Sequence, residues 1–261
     1  MAPAEKPYLA HHRRGDYELF YLAARHDTDP KGKTAKLVKK LFREYKFNFL
    51  LIEPIPNAEG ESPAGFLKEA KEGISANLLL GGESSLAAVM TSDRGIPFAG
   101  GELGHRELFT LLKREGYSEL DVLGFYLVRQ IPQWVREKAH PNSLLEKRAP
   151  GFLKHYCQTF GVDKCPSLAQ VAGWYKDRSG RELSAKISNE EVAPVHGSAI
   201  FTHKISSAIG LIRDRFTLKL IQGYLEKHKK VAVVYGGSHY VTLQRGIEAG
   251  MGVAVGVVQE E

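Results

Sequence analysis

Two histidines follow hydrophobic runs in this chain: His239 in VAVVYGGSHYVTL and His26 in YELFYLAARHDTD. Two glutamates are placed in the same way, Glu53 at the end of FNFLLIE and Glu102 at the end of IPFAGGE. Read as strands, the four runs each deliver a histidine or a carboxylate to one edge of a sheet. In open α/β sheets, ligands gather outside the carboxyl ends of the strands. Two imidazoles with two or three carboxylates hold a divalent cation through nitrogen and oxygen, or work without one as general base and acid. Glu83, in GGESS, joins this set at a helix N-terminus, where the dipole favours its charge. The glycines before His239 point to positive φ or to a close backbone approach.

The elements that must position these residues follow from periodicity. YELFYLAA and FNFLLIEP read as strands around a helix beginning near Thr34, and GESSLAAVMTSDRG reads as a helix before the short strand IPFAGG. Such alternation predicts βαβ units, hence an α/β fold with a mainly parallel central sheet flanked by helices. From about Gly104 to Ile200 the strand signal fades. SELDVLGFYLVRQIPQWVREK opens with a capping-box pattern, Ser118 to Asp121, and SLAQVAGWYKDRSG is a shorter helix closed by Gly180. Pro132, Pro141, Pro150 and Pro166 punctuate this middle into pieces, a helical insertion in one α/β domain spanning 1–261. Ser198 to Lys230 is again helical; it leads into VAVVY, a further helix and a closing strand, GVAVGVV.

The chain has 36 Lys and Arg against 30 Asp and Glu, a net charge of +6. The lysines crowd into KGKTAKLVKKLFREYK, where Leu37, Val38, Leu41 and Phe42 recur as on an amphipathic helix, so the surplus reads as a solvated face and not as a nucleic-acid surface. No apolar run approaches a membrane span, and the first twenty residues lack the apolar core of a secretory signal, which suggests a cytoplasmic address. Cys157 and Cys165 have no CxxC spacing and read as free thiols. DPKGKT sits where a phosphate-binding loop would, but Asp27 occupies the position of its first glycine, and a carboxylate there repels phosphate. Glu102 and His105 have a spacing that shares a metal when both lie on a helix.

The C-terminal run RDRFTLKLIQGYLEKHKKVAVVYGGSHYVTLQRGIEAG resembles the closing signature of the TraB/Tiki family: an arginine-bearing helix, a hydrophobic strand and a G-x-x-H turn, here Gly236 to His239. AARH resembles the family's first G-x-x-H, with Ala23 where glycine is expected and the histidine at His26. Glu53 falls where the family carries a glutamate after its second strand. The resemblance covers about 1–105 and 200–261, and its superfamily takes in erythromycin esterases and ChaN-like haem-binding proteins. It implies a scaffold more firmly than one activity.

The expected function is therefore a hydrolase, metal-assisted, acting on an amide, ester or lactone bond of a small molecule or peptide. His26 and His239 with Glu53 or Glu102 would ligate Mn, Co or Zn, a remaining glutamate, Glu83 or Glu102, would take the proton of water, and Arg213 or Arg215 would stabilise the oxyanion. In a metal-free version His26 is the base, oriented by Glu53. The alternative is a haem or small-ligand binding protein without turnover, with Tyr240 as a haem ligand and Tyr126, Trp134, Tyr156 and Trp174 walling an apolar pocket.

Overall fold

Strands β2 (Tyr17–Ala24) and β5 (Lys230–Gly236) are apolar almost without interruption, as strands covered on both faces must be. They lie side by side and parallel, with Ala24 level with Gly236, at the centre of a six-stranded sheet. The computed structural model describes residues 5–76, 79, 81–137 and 144–259. Beside β5 lies β3 (Phe49–Pro56), and beyond it β4 (Phe98–Glu102), both parallel to the centre. On the other side β1 (Tyr8–Arg14) runs antiparallel to β2 and to the last strand, β6 (Gly256–Gln259). The order is β4-β3-β5-β2-β1-β6, so the sheet is mixed and its parallel part contains every strand that ends in a candidate site residue.

Alternation along the strands divides two cores. Leu22, Leu50, Ile52, Phe98 and Val234 face α1 (Lys33–Glu44) and α3 (Gly82–Ser92). Tyr21, Leu51, Val233 and Tyr235 face α9 (Gly237–Met251) and the second half of α8 (Phe201–His228). Helix α1 buries Leu37, Val38, Leu41 and Phe42 and leaves its lysines outward, as the sequence pattern predicts. A further helix, α2 (Ala64–Ser75), precedes α3. The Asp27 carboxylate lies against Gly32, the cap of α1, so the place a phosphate would take is filled by the chain's own anion.

The chain divides into two compact units, 1–103 with 214–261, and 104–213. The second holds α4 (His105–Arg114), α5 (Glu119–Arg136), α6 (Leu144–Phe160), α7 (Leu168–Ser179) and the first half of α8, with no strand among its described residues. The capping box at Ser118 and Asp121 forms, and Asp121 also accepts hydrogen bonds from Trp174 and Arg178, tying α7 to the start of α5. Gly180 closes α7 in the left-handed conformation.

Three sequence expectations need correction here. Pro132 and Pro150 lie inside α5 and α6 and break neither. In α5 the buried Ile131, Pro132 and Trp134 pack enough apolar surface to offset the hydrogen bond that proline removes. Pro166 does stand outside a helix, just before the Ser167 cap of α7, and Pro141 lies outside the described residues. Cys157 and Cys165 form a disulfide instead of remaining free thiols, because the turn after α6 brings their Cα atoms to 5.7 Å. Glu102 and His105 do not share a helix, since Glu102 ends β4 and His105 begins α4.

At the amino end of β2, Glu18 gathers Lys230 at 2.7 Å, Arg13 at 2.9 Å and His11 at 3.0 Å. Burial alone would raise its carboxyl, but the hydrogen bonds from Lys230, Arg13 and His11 outweigh it and lower the group to about 2. A carboxyl depressed on folding contributes stability above its unfolded value and loses it as pH falls through its folded one. Glu18→Gln should therefore cost on the order of 1 to 2 kcal/mol at pH 7, discounted because solvent screens the half-exposed Arg13 and Lys230. It should also flatten the decline in stability between pH 4.5 and 2. Urea melts at three pH values check this; parallel curves for the two proteins across that window would refute it.

Candidate active site

Parallel strands β2, β3 and β5 end together, and their last residues meet around one carboxylate. Ladder pairing of β3 with β4 is regular to Ile52 and then shifts before Pro56, which frees Glu53 from the ladder. The displaced backbone brings the Ile55 carbonyl over Gly100, where no Cβ would fit. Glu53 Oε2 accepts a hydrogen bond from the Gly236 backbone N–H at 2.5 Å. From this anchored position its two oxygens face two imidazoles. His26 Nε2 is 3.8 Å from Oε2, and His239 Nε2 is 3.7 Å from Oε1.

Each imidazole is oriented from behind by a second carboxylate. His26 Nδ1 is 2.8 Å from Glu83 Oε1, and His239 Nδ1 is 3.0 Å from Asp214 Oδ1. A carboxylate on one ring nitrogen fixes the tautomer, so that the other nitrogen presents its lone pair. The Glu83 hydrogen bond raises the His26 pKa, against the opposing effect of burial. Glu83 sits in the first turn of α3 and is 2 % exposed, and its Oε2 is buried with no hydrogen-bond partner. The two imidazoles differ in access, because the His26 side chain is 67 % exposed and that of His239 17 %.

Glycines 236 and 237 lie where the chain passes from β5 into α9, and neither has positive φ. Close approach is their reason. A Cβ on Gly236 would stand 2.9 Å from His26 Nε2 and 3.0 Å from Glu53 Oε2, and one on Gly237 would stand 2.5 Å from Lys6 Cδ. His239 is thus in the first turn of a helix and not in a loop before one.

Glu102, at the end of β4, accepts a hydrogen bond from the Tyr235 hydroxyl at 2.8 Å. Burial first and the Glu102 charge second push that phenol far up, so it stays a neutral donor. Of the RDR triplet, Asp214 faces His239, Arg213 is half-buried and Arg215 is exposed. Asp214, Leu218, Ile221 and Leu225 recur at helical spacing on the stripe of α8 that packs against the sheet. That periodicity was the available signal for Asp214. Tyr240 is 1 % exposed, and its hydroxyl lies 2.9 Å from His12 Nε2, so it serves the core and presents no open face for a haem. Tyr126, Trp134 and Trp174 are likewise buried, and Tyr126 packs on Tyr156 at 4.9 Å between ring centres within the second unit.

Among the described residues no three His, Cys, Asp or Glu side chains stand close enough together to hold a metal ion. His26 and His239 instead approach different oxygens of Glu53, at 3.8 and 3.7 Å.

Because Gly236 both donates to Glu53 and leaves room for His26, Gly236→Ala should displace these two side chains while β5 and α9 still form. The expected cost is about 1 to 3 kcal/mol from overpacking. Nitrogen NMR of the imidazoles should show the His26 resonances altered and those of His12 unchanged. Unaltered His26 signals with an unaltered melt would contradict the assigned role of this glycine.

Compared with known proteins, the chain matches no family model, no curated protein and no solved structure.

Proposed function

We propose that the protein is a hydrolase whose working groups are His26, Glu53 and His239, backed by Glu83 and Asp214, with a divalent cation completing the site. The observation that carries this reading is the pair of carboxylate-oriented imidazoles, each turning Nε2 to a different oxygen of Glu53. Carboxylate–histidine pairs of this kind are what metal sites use behind their ligands. The resemblance to the TraB/Tiki family supports the same reading from the two histidine motifs and Glu53. When bound, such an ion polarises the scissile carbonyl and lowers the pKa of a water towards about 7. His26, the open imidazole, exchanges protons with solvent and substrate. His239, enclosed and held by Asp214, stays fixed. Glu83 retains a buried oxygen without a partner, the place for a water. Tyr235, held by Glu102, positions the end of β5 and takes no part as an acid.

The bond cleaved belongs to the amide, ester or lactone class, in a small molecule or a peptide. Among the described residues no helix is long and apolar enough to cross a membrane. The disulfide weighs against the cytoplasmic address that the sequence suggests, since such bonds persist best outside reducing compartments. On this reading the 104–213 unit is a helical insertion in a TraB/Tiki-like α/β domain.

Melting with and without Mn²⁺, Co²⁺ or Zn²⁺, joined to hydrolysis of an ester and peptide panel, tests the proposal. Wild type should gain stability with at least one ion and turn over at least one substrate. Glu53→Gln should abolish both responses, and Asp214→Asn should weaken ion affinity by about 10- to 100-fold. Equal ion response and equal turnover in wild type and Glu53→Gln would sink the assignment.

A further inference from the structure

The candidate site is crowded with carboxylates: Glu53, Glu83 and Asp214 surround the two imidazoles, and Glu102 stands behind Tyr235. The carboxylate between Arg213 and Arg215 faces His239. A cation reaches this edge from the N-terminal segment. Lys6 lays its stem across Gly237, so that a Cβ there would stand 2.5 Å from Cδ, 2.8 Å from Cε and 3.0 Å from Cγ. Gly236, the adjacent residue, is covered in the same way by His26 Nε2 and Glu53 Oε2. Two neighbouring glycines therefore set the Lys6 methylenes directly beside the reacting groups.

No contact among the described residues accounts for the ammonium. Among the described residues Lys6 makes no hydrogen bond and no ion pair, although three carboxylates lie around the adjoining imidazoles. A lysine stem flattened on a glycine loses rotamer freedom, and a purely structural cation would recover that loss by pairing. A Cβ at position 237 would meet only the flexible stem of Lys6 and push it aside, so glycine here is what keeps this path for the stem open.

We propose that Lys6 is the anion anchor of the site, its ammonium holding a carboxylate of the substrate beside His26 and Glu53. The ligand class is then an acyl compound carrying a carboxylate close to its scissile ester or amide. An anionic substrate would otherwise be repelled by the acidic groups here, and one unpaired ammonium offsets that repulsion where the anion must sit. The word substrate rests on the hydrolase reading above; the anchoring of a carboxylate does not.

The experiment has a kinetic and an equilibrium arm, each run with Mn²⁺, Co²⁺ or Zn²⁺ on wild type, Lys6→Met, Lys6→Arg and Gly237→Ala. The kinetic arm compares 4-nitrophenyl hemisuccinate with 4-nitrophenyl acetate. Wild type should favour the hemisuccinate by about 10-fold in kcat/KM, with the preference residing in KM. Lys6→Met should bring that ratio close to one, Lys6→Arg should keep most of it, and Gly237→Ala, which displaces the stem chemically unchanged, should lose it. The equilibrium arm measures succinate binding by calorimetry, where Lys6→Met should bind about 10-fold more weakly than wild type. If no ester is turned over but succinate binding depends on Lys6, the hydrolase reading falls and the anchor stands. An unchanged ratio in Lys6→Met, or succinate affinity that is absent or indifferent to Lys6, overturns the anchor. Should Lys6→Met fail to fold, Gly237→Ala decides by the same two measurements.

Discussion

The hydrogen bond from the Gly236 N–H to Glu53 joins the end of β3 to the passage from β5 into α9, and the site is built around it. A carboxylate at a strand end would ordinarily turn to water. Here it is held in because three local features agree. Ladder pairing lapses after Ile52, Gly100 admits the displaced Ile55 carbonyl, and Gly236 presents a bare N–H where any side chain would strike His26 and Glu53. Charge-assisted hydrogen bonds to backbone N–H groups are among the stronger ones, and this one anchors Oε2. With Oε2 anchored, the two imidazoles stand one against each oxygen.

The arrangement on either side is chemically paired and physically unequal. Each ring has a carboxylate on Nδ1, but Glu83 comes from the first turn of α3 and Asp214 from the middle of α8. His26 lies in the loop after β2 and is open to solvent; His239 is enclosed within the first turn of α9. A single sheet edge thereby offers one imidazole open to solvent and one mostly enclosed. General acid–base work needs the first, while fixed orientation of a ligand or ion needs the second.

Much of this was legible in sequence for a simple reason: parallel strands buried on both faces are unmistakably apolar, and the polar residue that ends each one stands out. That logic located His26, Glu53, Glu102 and His239, with Glu83 following from its place at a helix start. It failed where polarity and burial diverge. Strand β1, YLAHHRR, hides behind four polar residues, yet His12 is fully buried on Tyr240 and on the Gly252 carbonyl, and His11 stacks on Phe20. Asp214 was hidden by its two arginine neighbours, and Lys6 by a segment with no periodicity at all. The prolines of α5 and α6 misled because local propensity was allowed to outweigh the apolar stripe that continues past them. The disulfide depends on how α6 ends, and a spacing of eight residues does not reveal that.

Beneath the site, the sheet face toward α9 is not a plain hydrocarbon core. Tyr8, Tyr21, Tyr235 and Tyr240 are all buried there, and Tyr21 packs on Tyr240 at 4.8 Å between ring centres. Tyr8 and Tyr21 have hydroxyls without hydrogen-bond partners, a cost of about 1 to 3 kcal/mol for each buried group. Phenylalanine would fill the same volume without that cost. Burial raises the Tyr21 phenol far above its ordinary range, and the charges of Glu53 and Asp214 add to the effect, so it remains neutral. The stability that these unpaired phenols forgo beneath the site is the kind that functional sites commonly forgo.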